Sequence, residues 1–176
     1  MGLVRVTGVS GTGKSSVCEG LRQRGHRAVD ADGDGYSRWA DRRSGRLVTD
    51  PPDPVPAGWL DRYAWRIDVE RVRALATGAP ATVTFLCGSV ENEHDVWDCF
   101  DRVVCLVADD ETIIHRLATR TTNAFGKHPE ELAATLGWNQ VMESRYRAAG
   151  AAIVDATRPL ADVVDDVLTA TQRRPG

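Results

Sequence analysis

The sequence predicts an α/β fold in which helices cover both faces of a five-stranded, mainly parallel sheet. Strand-like segments rich in β-branched residues alternate with segments of helical spacing along all 176 residues, which is typical of this class. One strand-like segment, residues 81–87, is almost continuously apolar or β-branched, as expected for a parallel strand buried on both faces. A glycine-rich loop joins the first strand-like segment to the first helical one.

The elements are predicted in chain order from the spacing of apolar residues. Strands are expected at residues 3–7, 26–31, 81–87, 102–107 and 151–154. Helices are expected after the glycine-rich loop and at residues 59–76, 94–100, 111–120 and 129–149. Ile113, Ile114 and Leu117 are predicted as the buried stripe of the helix at 111–120. A final helix follows Pro159, with one apolar face at residues 160, 163, 164, 167 and 168.

The length and composition indicate a single domain, residues 1–176, without a nucleic-acid partner. The net charge is −3 and the isoelectric point is near 5.8, so no basic surface is indicated. No stretch resembles a signal peptide or is long and apolar enough to span a bilayer. The four cysteines lack C-x-x-C spacing, which indicates free thiols. We therefore expect a cytoplasmic protein with no membrane partner, either a monomer or a homodimer.

Residues 8–15 match every fixed position of the phosphate-binding pattern G-x-x-x-x-G-K-[S/T]. Its glycines allow successive backbone N–H groups to point into one anion-sized hollow. Lys14 is predicted to contact the β- and γ-phosphates, and the Ser15 hydroxyl is predicted to bind Mg²⁺. The predicted nucleotide contacts are Gly8, Ser10, Gly11, Thr12, Gly13, Lys14, Ser15 and Ser16. Because a strand precedes the loop and a helix follows it, we expect a nucleoside triphosphate site.

Two carboxylates lie at the end of the second predicted strand. Asp30 and Asp32 lie two residues apart in the run Asp-Ala-Asp-Gly-Asp-Gly, so on a strand both would point to one face. Ligands of open α/β sheets bind beyond the carboxyl ends of the strands, where the phosphate loop also lies. One carboxylate could hold Mg²⁺ while the other accepts a proton from an attacking hydroxyl. An acidic turn without chemistry is the alternative, above all for Asp34.

The phosphate loop, with Asp-x-Asp beginning sixteen residues after its lysine, resembles the small P-loop kinases. The nearest patterns are gluconate kinase, shikimate kinase and adenylylsulfate kinase, and nucleoside monophosphate kinases are more distant. The resemblance implies a P-loop NTPase fold with a short lid at about residues 121–128, and ATP and Mg²⁺ as cofactors. It also implies Asp30 as a metal ligand beside Ser15 and Asp32 as the catalytic base, with Asp34 open as an alternative base.

The resemblance extends to the helix that enters the lid. Related kinases carry arginines there, which implies that Arg116 lies over the adenine and that Arg120 reaches the transferring phosphate. Two solvated surface arginines are the alternative. Lys127 could close over the phosphates, although this lid lacks the arginines of the related kinases. Related kinases also hold the adenine near the loop at residues 155–159, so Arg158 is a candidate nucleotide contact.

The acceptor-binding region is expected at about residues 32–77, which include a proline-rich loop. Its aromatic and basic side chains are Tyr36, Arg38, Trp39, Arg42, Arg43, Trp59, Arg62 and Trp65. Such a set suits an anionic or ring-bearing acceptor, and a solvated helix face with two buried tryptophans is the alternative. A polar run after the third strand, residues 91–94, could hydrogen-bond to a polyol or sugar. That strand ends without the Asp that supports Mg²⁺ in many P-loop enzymes.

Together these features predict an ATP-dependent kinase that phosphorylates a hydroxyl of a small metabolite such as a sugar acid or polyol. Lys14, Asp32 and Arg120 are the predicted catalytic residues. A nucleoside or nucleoside monophosphate kinase is the second hypothesis, because the aromatic residues of the acceptor region allow base stacking. A non-catalytic nucleotide-binding regulator is the third, but the sequence lacks the Asn-Lys-x-Asp motif of guanine-selective switches.

Overall fold

The computed structural model describes residues 2–53, 55–78 and 82–172, and its strands form two sheets. In chain order the strands are β1 (Leu3–Thr7), β2 (Arg27–Asp30), β3 (Ser37–Asp41), β4 (Tyr63–Ile67), β5 (Thr84–Cys87), β6 (Phe100–Val107) and β7 (Ala152–Asp155). The larger sheet has the order β2-β5-β1-β6-β7, and all its pairs are parallel. This confirms the predicted α/β class and its five-stranded sheet. The strand predicted at 81–87 is observed from Thr84, and residue 81 lies outside the described ranges.

The helices cover both faces of this sheet. They are α1 (Lys14–Gln23), α2 (Trp59–Arg62), α3 (Val69–Thr77), α4 (Asp110–Thr119), α5 (Pro129–Ala148) and α6 (Leu160–Gln172), with a 3₁₀ helix at Glu93–Cys99. The Asp109 carboxylate caps α4 by accepting a hydrogen bond from the Thr112 amide at 2.7 Å. Ile113 and Leu117 of α4 are buried as predicted. The prediction for Ile114 was wrong: its side chain is exposed, because Ile114 lies about 100° around the helix from Ile113.

The segment at residues 59–76, predicted as one helix, is instead a short helix, a strand and a second helix. β4 pairs antiparallel with β3 and places Trp65 directly opposite Trp39. Aromatic residues pack well across strands, whereas in a helix they lose side-chain freedom. Asp68 then begins α3 by accepting a hydrogen bond from the Arg71 amide at 3.1 Å. The prediction was wrong because apolar spacing alone does not separate a short strand followed by a helix from one longer helix.

Two apolar clusters enclose the parallel sheet, one on each face. On one face Val4 of β1 packs in a cluster with Leu21 of α1 and Val164 of α6. On the other face Leu3 of β1 packs in a cluster with Val72 of α3. Because alternate residues of β1 face opposite clusters, this strand is buried along its whole length. The carboxyl ends of β2, β5 and β1 therefore emerge side by side from a rigid core.

The four cysteines are free thiols, as predicted, and Cys18, Cys87 and Cys105 are buried. Burial raises the pKa of Cys105 to about 12, so this thiol stays protonated at neutral pH. None of the helices within the described ranges is long and apolar enough to cross a membrane.

Gly20 of α1 faces Val164 of α6, where a Cβ atom would lie 2.8 Å from the Val164 Cγ2 atom. We expect Gly20→Ala to lower the free energy of unfolding by about 1–3 kcal/mol, because overpacking outweighs the helix propensity that alanine adds. Gly137→Ala in α5 is the matched control, since its Cβ would meet nothing within 4 Å, and there we expect a gain of about 1 kcal/mol. Urea denaturation measures both, and equal effects of the two substitutions would contradict this packing.

Candidate functional site

The phosphate loop, residues 8–15, leaves the carboxyl end of β1 and enters α1. Gly8 has a φ of 145° and Gly13 a φ of 94°, which residues with a Cβ atom rarely adopt. A Cβ at Gly8 would also lie 2.6 Å from the Leu106 carbonyl oxygen, so β6 packs closely against the loop. The first turn of a helix leaves N–H groups without intrahelical partners. The loop and the start of α1 therefore form a hollow with the geometry that suits an anion.

Lys14 folds back over this loop. Its Nζ atom donates hydrogen bonds to the Gly8 carbonyl at 2.7 Å and to the Val9 carbonyl at 2.9 Å. Burial lowers the pKa of Lys14 to about 8, and the nearby Asp32 and Asp30 carboxylates partly offset this effect. An anion in the hollow would favour the protonated amine, so Lys14 can couple anion binding to proton uptake.

The hydroxyl groups of the loop divide into two kinds. The Thr12 side chain is buried, and its Oγ1 donates to the Val9 carbonyl at 2.8 Å, so this hydroxyl holds the loop together. Ser15 and Ser16 are exposed at the start of α1, and Ser10 is half-buried at the edge of a large cavity. The three serine hydroxyls are therefore the ones available to a ligand.

Two of the three carboxylates at the end of β2 and in the following turn bond to the turn itself. Asp30 Oδ1 accepts hydrogen bonds from the amides of Asp32 at 3.0 Å and Gly33 at 3.1 Å. Asp34 Oδ2 pairs with Arg22 at 2.7 Å and accepts a hydrogen bond from the Asp30 amide at 2.9 Å. Asp32 lines the large cavity, as does Lys14. Of the two carboxylates left open as the base, Asp32 is therefore the one that faces the cavity.

Trp65 of β4 orients Asp32. Its Nε1 donates a hydrogen bond to Asp32 Oδ1 at 2.7 Å. The Trp65 ring packs edge-on against Trp39 of β3, with the ring centroids 5.4 Å apart. The sequence prediction placed Trp65 in the acceptor region but missed the hairpin that brings its indole to Asp32.

Arg116 of α4 connects the phosphate loop to the loop after β7. Its guanidinium donates hydrogen bonds to the Gly11 and Thr12 carbonyls at 3.4 Å and to the Ala156 carbonyl at 2.8 Å. Arg116 is half-buried and is therefore not the solvated surface arginine of the alternative interpretation. Its guanidinium lies between the two loops that are predicted to hold the nucleotide.

Arg120 holds the segment that is predicted as the lid, residues 121–128. Its guanidinium donates to the Asn123 carbonyl at 3.1 Å and to the Phe125 carbonyl. Burial lowers the pKa of Arg120, and the Asp32 carboxylate is one of the charges that oppose this shift. Lys127 is exposed and is not among the described residues that line the cavity. Arg120 is also absent from the described residues that line the cavity, and in this structure it braces the predicted lid segment instead.

Arg158 and Asn92 are engaged elsewhere, whereas Glu91 and Glu93 of the polar run at 91–94 line the cavity. In the described part of the chain Arg158 forms ion pairs with Asp166 and, at 3.5 Å, with Asp162, both in α6. Asn92 is buried and forms two hydrogen bonds with the backbone of Ile67. Its Oδ1 accepts from the Ile67 amide at 2.8 Å, and its Nδ2 donates to the Ile67 carbonyl at 3.2 Å. Asn92 therefore supports the β3–β4 hairpin.

A cavity of about 800 Å³ opens between the phosphate loop, the hairpin and α5. Its aromatic and apolar lining includes Trp39, Tyr63, Trp65, Trp138, Val141 and Met142. The sequence prediction included Trp39 and Trp65 and missed the α5 side of the cavity. Apolar residues at 138, 141 and 142, spaced i, i+3, i+4 on a largely polar helix, are the signal that could have found it.

A charged cluster with two buried members, Glu93 and Arg5, lies beside this cavity. Glu93 lines the cavity and accepts hydrogen bonds from the Tyr146 hydroxyl and, at 3.2 Å, from Arg145. Arg5 of β1 is only 1% exposed, and among the described residues its guanidinium has no hydrogen-bond partner. Burial lowers the pKa of Arg5, with Glu93 as the strongest opposing charge. An arginine inside an apolar strand was the sequence signal for this cluster.

Several solved structures share the fold. A shikimate kinase from Acinetobacter baumannii in complex with shikimate has a TM-score of 0.62 and 16% identity, covering 98% of this chain and 93% of that chain. A gluconokinase from Sinorhizobium meliloti 1021 has a TM-score of 0.55 and 22% identity, and the match covers 98% of this chain and 92% of that chain. A deoxyadenosine kinase from M. mycoides with bound dATP has a TM-score of 0.55 and 13% identity, and the match covers 97% of this chain and 100% of that chain. These likenesses confirm the fold of the small P-loop kinases.

The matches at the level of sequence are of two kinds. No curated protein matches the chain significantly. The family model described as an AAA domain matches residues 4–136. The matched range runs from β1 through the phosphate loop, the turn after β2 and α4 into α5. The chain therefore belongs to the AAA domain family of P-loop proteins.

Proposed function

We propose that the protein is an ATP-dependent kinase that transfers the γ-phosphate to a hydroxyl of a small metabolite. The observation that carries this proposal is that Lys14 of the phosphate loop and the Asp32 carboxylate line one cavity. A phosphate-binding cation and a proton acceptor then face the same space, as phosphoryl transfer requires. The fold shared with gluconokinase, shikimate kinase and deoxyadenosine kinase supports the same reaction class.

The triphosphate would occupy the hollow of the phosphate loop, with Lys14 at the β- and γ-phosphates. Arg116 is proposed to lie over the adenine, because its guanidinium bridges the phosphate loop and the Ala156 carbonyl and a planar guanidinium stacks on aromatic rings. Arg158 follows β7 and is proposed as a further nucleotide contact, which requires it to leave its ion pairs with α6.

Magnesium fits this site together with the nucleotide. The Ser15 hydroxyl and the Asp30 carboxylate are hard oxygen donors of the kind that Mg²⁺ prefers, and we propose them as its protein ligands. Among the described residues no group of three or more His, Cys, Asp or Glu side chains is placed to hold a metal. That suits an ion that takes its other ligands from phosphate and water. Bound there, Mg²⁺ would neutralise phosphate charge.

Asp32 is proposed to take the proton of the attacking hydroxyl. The acceptor oxygen bonds to the γ-phosphorus while the bond from that phosphorus to the β–γ bridging oxygen breaks, which leaves ADP. Trp65 Nε1 holds Asp32 Oδ1 at 2.7 Å, so Trp65 is a positioning residue. Arg120 is proposed to reach the transferring phosphate, and closure of the lid that it holds would exclude water.

Two acceptor classes are supported by different observations. The sequence resemblance implies a sugar acid or a polyol. The aromatic side chains of Trp39 and Trp65 at the cavity favour a nucleoside, because a base could stack on them. Both classes offer a hydroxyl to Asp32 and use the same nucleotide site.

ATP consumption with Mg²⁺ in the presence of sugars, sugar acids, polyols and nucleosides tests the proposed function. We expect one class to stimulate ADP release by about tenfold or more, and Lys14→Ala to abolish this turnover because phosphate charge is left unmatched. Arg27→Ala, exposed at the opposite end of β2, is the control that should keep full activity. If ATP binds and no acceptor is phosphorylated, the protein is a nucleotide-binding regulator instead.

ATP binding should weaken as the pH rises above 8. The pKa of Lys14 is lowered to about 8 in the nucleotide-free protein, so below this pH the amine is already charged, and above it a proton must be taken up. We expect the Kd for ATP to rise about tenfold per pH unit above 8, with proton uptake visible as a dependence of the binding heat on the buffer. Calorimetry measures both. A Kd for ATP that does not change with pH would contradict this role of Lys14.

Asp32→Asn should lower kcat by a factor of about 10²–10⁴ and leave the Kd for ATP nearly unchanged, because the amide accepts no proton. Asp34→Asn is the matched control, since Asp34 pairs with Arg22 in the turn, and it should keep kcat within about threefold. Steady-state kinetics and calorimetry with ATP measure the two effects. A large loss of Mg·ATP affinity in Asp32→Asn would instead make Asp32 a metal ligand.

A further inference from the structure

Two elements supply apolar side chains to the lining of the large cavity. Trp39 and Trp65 come from the hairpin, and Trp138, Val141 and Met142 come from α5. Trp138 is 45% exposed and Val141 is 56% exposed. Large apolar side chains left open to solvent inside a concave site favour a ligand that covers them.

The basic side chains of the cavity are already paired. Arg42 pairs with Glu91, and Arg145 pairs with Glu93 at 3.2 Å. Lys14 is held by two carbonyls of the phosphate loop and is proposed to serve the nucleotide. The arginines that line the described part of the cavity are therefore both neutralised, and the unpartnered Arg5 guanidinium is buried outside that lining.

Acidic side chains outnumber basic ones in the cavity lining. Its carboxylates are Asp32, Asp53, Glu91, Glu93 and Glu131, and its basic side chains are Lys14, Arg42 and Arg145. A bound triphosphate adds further negative charge to the same space. A carboxylate or phosphate on the acceptor would meet this surplus without a partner, which disfavours binding.

Resting on the proposed function, we infer that the acceptor is an uncharged alcohol that carries a flat ring. The ring lies between the tryptophans of the hairpin and the apolar face of α5, and the hydroxyl reaches Asp32. A cavity of about 800 Å³ has room for such a molecule beside the transferring phosphate. A nucleoside and a simple aromatic alcohol both have this chemistry, whereas a sugar acid lacks the ring and adds a charge.

Four compounds separate the effect of the ring from the effect of the charge. Benzyl alcohol has the ring alone, 4-(hydroxymethyl)benzoate has the ring and a carboxylate, sorbitol has neither and gluconate has the carboxylate alone. Adenosine is added to distinguish a nucleoside from a simple aromatic alcohol. Binding is measured by the quenching of tryptophan fluorescence and by calorimetry, with a non-hydrolysable ATP analogue and Mg²⁺ present. The same compounds are then tested for phosphorylation with ATP.

We expect benzyl alcohol or adenosine to bind about tenfold more tightly than each carboxylated compound and than sorbitol. Gluconate or 4-(hydroxymethyl)benzoate binding as tightly as the uncharged ring compounds would overturn the inference. So would the absence of binding by both uncharged ring compounds. Tight binding of a ring compound without phosphoryl transfer would overturn the proposed function and leave the binding preference standing. Phosphorylation of gluconate and of none of the other compounds would overturn the binding preference and leave the proposed kinase function standing.

Two pairs of variants test the walls and the charges separately. Trp138→Ala should weaken binding of the uncharged ring compound about tenfold, and Ile114→Ala is the control, since Ile114 is similarly exposed on α4 outside the cavity. Glu91→Gln should free Arg42 and improve binding of 4-(hydroxymethyl)benzoate about tenfold. Its control is Glu143→Gln, which breaks an exposed ion pair with Arg147 on α5. Equal effects of variant and control in either pair would contradict this assignment.

Discussion

The burial of β1 between two parallel neighbours is the constraint on which the rest of the site depends. β1 pairs with β5 on one side and β6 on the other, and its residues are buried on both faces. Because the strand is held so completely, the phosphate loop leaves it at a defined point and the start of α1 follows at a defined angle. The close approach of Gly8 to the Leu106 carbonyl of β6 shows how little space this arrangement leaves.

The other site groups are held by contacts between elements far apart in the chain. The Trp65 indole reaches Asp32 from the hairpin. Arg116 reaches from α4 to the phosphate loop and to Ala156, and Arg120 reaches from the end of α4 to the Phe125 carbonyl of the lid. Such mutual restraint keeps side chains near one geometry, which is the main protein contribution to phosphoryl transfer.

Electrostatics divides the cavity into two regions. At the phosphate loop, burial lowers the pKa of Lys14 and so disfavours the charged amine. A phosphate bound beside it would favour the charged form again. In the rest of the cavity the arginines are neutralised by Glu91 and Glu93, and apolar side chains form the walls. One part of the site is thereby suited to an anion and the other to an uncharged ring.

The sequence by itself determined the phosphate loop and most of the sheet. The phosphate loop is a contiguous pattern whose glycines and lysine act locally, and buried parallel strands are read from short apolar runs. The hairpin was missed because its stability comes from pairing Trp39 with Trp65, which apolar spacing does not record. Only the tertiary structure decided which carboxylate faces the cavity, that Arg42 is neutralised by Glu91, and that Trp138 lines the same cavity as the hairpin. These features depend on contacts between distant segments, so no local pattern specifies them.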